Sequence, residues 1–103
     1  MEKVQIQWGD LERTEAIEND VWEKSKKILE FAPTATVLNV NLRVINSVQS
    51  AGISTQSVLM ELRLPNKQDI RTEKEGDDLY RLIKDAQAAL LTQIKSKKDR
   101  KLI

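Results

Sequence analysis

Five of the seven residues from Lys95 to Lys101 are basic: Lys95, Lys97, Lys98, Arg100 and Lys101. Side chains of this kind in a short run hold phosphates by charge alone, without base-reading geometry. At helical spacing Lys84, Leu91, Lys95 and Lys98 fall along one stripe, with Arg81 beside it. Lys97 lies nearer the core side, so its stem would follow apolar surface while its ammonium reaches out. Lysines in a last helical turn also compensate the helix dipole, which accounts for some of this set but not for five in seven. Further up the chain, Lys24 interrupts the apolar series Ile17, Val21, Ile28, with Lys27 at one side of it. An unpaired ammonium does not stay in a core. Lys24 must therefore either snorkel out along a groove or mark a groove between helices that receives an anion.

Other chemistries are poorly supplied. The chain has no histidine and no cysteine, which removes the commonest general base, the thiol nucleophile and most zinc ligands. Its three glycines form no phosphate loop. Asp77 and Asp78 are adjacent, so on a helix they diverge and read as helix-start carboxylates. No catalytic residue, metal site, cofactor or small-molecule substrate is expected. The net charge is only +1, yet residues 81–103 hold seven Lys/Arg against two Asp/Glu, a net of +5 that leaves −4 for residues 1–80. Such a split suggests a polyanion at one place on the surface. The aromatics are few: Trp8 and Phe31 read as core and Trp22 as partly exposed, so shape and phosphate recognition fit better than sequence-specific reading of single strands.

These side chains need elements to carry them. "KVQIQW" alternates Val4, Ile6 and Trp8 with polar residues, a strand with one buried face. Thr14 is a suitable N-cap for a helix from about Glu15 to Phe31, which Pro33 ends. In "TVLNVNLRVIN", Leu38, Val40, Leu42 and Val44 share one face. "NSVQSAGIS" reads as a connecting hairpin loop. "TQSVLMELRL" is a second long strand with Val58, Met60, Leu62 and Leu64 on one side. Pro65 and Asn66 make a turn, and "DIRTEKE" is a polar strand, short or at an edge. The last helix starts near Asp77 or Asp78 on a stripe of Leu79, Ile83, Ala86, Leu90 and Ile94, and the chain is expected to fray after Lys98.

The order β-α-β-β-β-α predicts an α+β fold, a four-stranded sheet with two helices packed on one face. The first two strands, joined through a helix, would be parallel if adjacent, and the others antiparallel. At 103 residues the chain is expected to be a single domain, 1–103, ordered over about 2–98. No long apolar run suggests a signal peptide or a membrane span, so a cytoplasmic location is the default.

The order of elements, "TEAIENDVWEKSKKILEF" and "EGDDLYRLIKDAQAALLTQIKSKKDRK" resemble the ribosome hibernation promoting factors, also called ribosome-associated inhibitors or sigma-54 modulation proteins. The best local matches are Thr14-Glu15-Ala16, Lys24 and Lys27, then Glu75-Gly76 with Asp78, Tyr80 and Ile83, and finally Gln93 and the basic end through Arg100. The resemblance spans the chain to about Lys101. It implies binding to the small ribosomal subunit in the channel of mRNA and tRNA, with inhibition of translation in starved or stationary bacteria. The implied contacts with ribosomal RNA are Lys24, Lys27, Lys95, Lys97, Lys98 and Arg100; the helical wheel adds Arg81 and Lys84. Lys84 stands where the family commonly has an acid, Ala89 and Thr92 where it tends to be basic, and Lys74 where it favours a small residue. The length resembles the short form, which needs another factor to promote ribosome pairing. Two other readings suit the same charges: a general structured-RNA-binding domain, and a module that docks an acidic protein.

Overall fold

The structure, a computed structural model, describes residues 3–46 and 55–103. Its elements are β1 (Val4–Trp8), α1 (Glu15–Phe31), β2 (Val37–Asn46), β3 (Thr55–Arg63), β4 (Ile70–Gly76) and α2 (Leu79–Asp99). This is the expected β-α-β-β-β-α order in an α+β fold. The four strands form one sheet in sequence order, with β1 parallel to β2 and the other neighbours antiparallel. The polar strand β4 lies at an edge, as its composition predicts. The loop expected after Asn46 falls on residues 47–54, outside the described residues.

Period-two patterning sets which face is buried. Register brings Val4, Leu38, Leu62 and Ile70 into one row across the sheet, and Ile6, Val40, Met60 and Thr72 into the next. The helices cover this face with Ile17, Val21, Ile28 and Ala32 from α1 and Leu82, Ile83, Ala86, Leu90 and Ile94 from α2. Val44, expected on the buried face, is only half-buried, and Leu79 likewise lies at the margin of the core. The opposite face is polar and carries the pairs Arg43–Glu73 and Arg63–Glu61.

Local chemistry fixes the helix ends. The Thr14 hydroxyl accepts from the Ile17 amide at 3.2 Å, and Asp78 accepts from the Arg81 amide at 3.3 Å. The Pro65-Asn66 turn is closed by Asp69, whose carboxylate accepts from the Leu64 amide at 2.8 Å. Past Lys98, where fraying is expected, α2 runs on to Asp99 and then closes. Lys101 adopts φ 59°, its amide donates to the Lys98 carbonyl at 3.0 Å, and the Leu102 amide reaches the Lys97 carbonyl at 2.8 Å. That pair of bonds is a Schellman ending, which satisfies carbonyls a frayed end would leave to water.

The strand directions dictate the helix directions. β1, β2 and β4 run one way, so α1 and α2, each entered from one of those strands, both run back. The two helices are therefore parallel, and their C-terminal halves lie side by side.

Candidate nucleic-acid interface

α1 and α2 enclose a groove that runs along both helices. Gln87 donates across it to the Lys24 carbonyl at 3.3 Å, which ties the helices together near mid-length. The groove divides into an upper cleft towards the start of α2 and a lower cleft towards both C-termini.

The upper cleft, about 590 Å³, is lined by Asp20, Lys24, Asp78, Tyr80, Arg81, Lys84 and Asp85. Its charges are balanced, three acids against three bases. Lys24 does not occupy the core stripe. That place is taken by Ser25, fully buried between Val21 and Ile28, while the Lys24 side chain is 23% exposed and donates to Asp20 at 3.0 Å, one turn back. The snorkelling alternative thus describes its geometry. Arg81 lies 3.9 Å from Asp85, again at i and i+4. Two of the three cations here already have carboxylate partners.

The lower cleft, about 570 Å³, is lined by Lys27, Phe31, Leu91, Thr92, Ile94, Lys95, Lys98 and Asp99. Three lysines face one aspartate, and none of the three is ion-paired among the described residues. Lys27, Lys95 and Lys98 are exposed. The floor between them is apolar, supplied by Phe31, Leu91 and Ile94. The Lys98 ammonium stands 5.8 Å from the centre of the Phe31 ring.

The structure therefore brings together six of the eight basic residues singled out from sequence, in two groups of three. Lys97 points elsewhere. Its half-buried side chain donates to Gln68 at 2.9 Å, on the side of α2 facing the Pro65 turn. Arg100 is exposed and donates to Ser96 at 3.4 Å, away from the residues that line the groove. Phe31 corrects the sequence reading: it is 48% exposed rather than in the core. Its signal was present, since Lys24, Lys27 and Phe31 are spaced three and four residues apart and so share one line down α1. Of the positions that depart from the family pattern, Thr92 lies in the lower cleft and its hydroxyl donates to the Ala88 carbonyl at 3.0 Å. Lys84 lies in the upper cleft.

The model of the family described as "Sigma 54 modulation protein / S30EA ribosomal protein" matches residues 4–102. The chain belongs to this family. The match spans nearly every residue and bears out the resemblance carried by the two helices. Among solved structures, the chain is similar to a ribosomal subunit interface protein from Coxiella burnetii, with TM-score 0.78 and 19% identity over 93% of this chain and 97% of that one. It is also similar to the N-terminal domain of Protein Y from Thermus thermophilus, with TM-score 0.72 and 25% identity over 91% of this chain and 97% of that one. The first likeness is one of fold. Comparison with curated protein sequences finds no match. Among the described residues, no helix is long and apolar enough to cross a membrane.

Proposed function

We propose that this chain is a ribosome hibernation factor. It binds the small ribosomal subunit in the channel that mRNA and tRNA occupy, contacts ribosomal RNA through the groove between α1 and α2, and so blocks translation under stress or in stationary phase. Its place of action is the cytoplasm. The observation that carries this reading is the lower cleft: three exposed lysines without ion-pair partners among the described residues, from two helices, in a member of a family whose description names a ribosomal protein. Free ammonium groups need break no internal pair before they meet phosphate. The acidic remainder of the chain disfavours indiscriminate coating of nucleic acid.

Of the eight residues, we assign the main role to Lys27, Lys95 and Lys98, a supporting one to Lys24, Arg81 and Lys84, and peripheral contacts to Lys97 and Arg100. Co-sedimentation with bacterial ribosomes through a sucrose cushion tests the reading. The protein is expected to pellet with small subunits and to bind free duplex RNA weakly. Comparable binding to both would point to a general RNA-binding domain. Absence of pelleting at low salt would sink the ribosomal reading and favour an acidic protein partner.

A further inference from the structure

The lower cleft has a property that phosphate binding alone does not use. Its floor is apolar, and the largest exposed ring in it, Phe31, is flanked by lysines on both helices. A partner that offers only anions would gain nothing from that floor. A partner that offers only apolar surface would leave three ammonium groups beside a desolvated contact. An unpaired nucleotide satisfies both, because it joins a flat π-face to a phosphate at short range.

We propose that Phe31 is a stacking platform for one unpaired base of the bound RNA, with Lys27, Lys95 and Lys98 holding the phosphates on either side. This deepens the ribosomal reading by naming the form of RNA the lower cleft receives. The Lys98 ammonium is already 5.8 Å from the ring centre, at the outer limit of about 6 Å for a cation–π contact. A contact that loose is readily displaced. When a base takes the ring, the ammonium is left beside that base's own phosphate. Stacking of this kind tolerates any base, so it adds affinity without sequence reading. The geometry of α1 supports the assignment. Phe31 occupies the last helical position, immediately before the cap at Ala32, and it continues the line of Lys24 and Lys27. The base site thus lies at the end of the line that the lysines begin.

The test compares two short labelled strands of about ten units, an oligouridylate and an abasic ribose-phosphate of equal length, by fluorescence anisotropy at low salt. The wild-type protein is expected to prefer the strand that carries bases by about tenfold. Phe31→Ala and Phe31→Leu should abolish the preference and leave abasic-strand affinity unchanged, while Phe31→Trp should keep it. Lys98→Ala should weaken both strands alike. Leucine fills the site without a π-face, so loss in both variants separates stacking from burial, and half-exposure of Phe31 spares the fold. Equal affinity of the wild type for the two strands, or a preference that survives Phe31→Ala, overturns the proposal. This holds whatever the sedimentation result, so failure of the ribosomal reading and failure of the stacking site are read separately.

Discussion

The upper and lower clefts of the groove contain the same number of cations and differ in how those cations are spent. Above, Lys24 and Arg81 each face an aspartate one turn away on their own helix, and Asp78 caps α2. Below, Lys27, Lys95 and Lys98 have only Asp99 nearby among the lining residues, and they surround an apolar floor. The exposed Arg81–Asp85 pair is of a kind worth only about 0.3–0.5 kcal/mol, while the Lys24–Asp20 pair is partly buried. Their effect is on the field. A phosphate approaching the upper cleft meets a neutral surface, and one approaching the lower cleft meets a positive one. Counting basic residues would rank the two clefts equally; counting free ones does not.

The comparison can be broken most directly by charge reversal below. Lys27→Glu/Lys95→Glu/Lys98→Glu is expected to lower small-subunit affinity more than about 100-fold at about 0.1 M salt, with an unchanged melting temperature. For the wild type, the plot of log affinity against log salt should have a slope of about −2 to −3 from these three lysines, and the triple variant should lose that much of it. Reversal above, as Lys24→Glu/Lys84→Glu, should cost only about tenfold. An equal loss from the two reversals would dissolve the distinction between the clefts.

Removing the upper acids sharpens it. Asp20→Asn/Asp85→Asn frees Lys24 and Arg81 and should raise affinity about threefold in the same assay, most visibly at low salt. Unchanged affinity would show that RNA does not reach the upper cleft. The smallest effect concerns stability alone. The buried Ser25 hydroxyl has no partner among the described residues, so Ser25→Ala should stabilise by about 0.5–1 kcal/mol, through relief of desolvation and better helix propensity. Thermal unfolding should shift up by a few degrees, while RNA binding stays constant.

Ser25 also shows where the sequence was ambiguous. Lys24 and Ser25 both sit near the stripe of Ile17, Val21 and Ile28, and apolar spacing alone does not decide between neighbours. Packing decides, by enclosing Ser25 completely and leaving Lys24 partly exposed at the flank. Phe31 departs from expectation for the related reason that a large ring reads as core. It lies on the Lys24–Lys27 line, and only the position of α2 shows that this line borders a groove. The ending of α2 escaped too, because Lys101 in a left-handed turn has none of the glycine chemistry that announces a Schellman ending.

What local patterning determined was nonetheless extensive. Alternation in β2 and β3, the cap at Thr14 and the stop at Pro33 each depend on residues a few positions apart, and they set element type and limits before any packing exists. Accumulation of charge in the last helix was equally plain, since charge is a sum over composition. Which charges are free is not a sum. Lys27 and Lys95 are far apart in the chain and meet because parallel helices on one sheet face place their C-terminal halves together. Lys97, in the midst of the basic run, is turned towards Gln68 by the same packing. The supply of cations is written locally; their pairing and direction depend on where the second helix lies, and only the tertiary structure decides that.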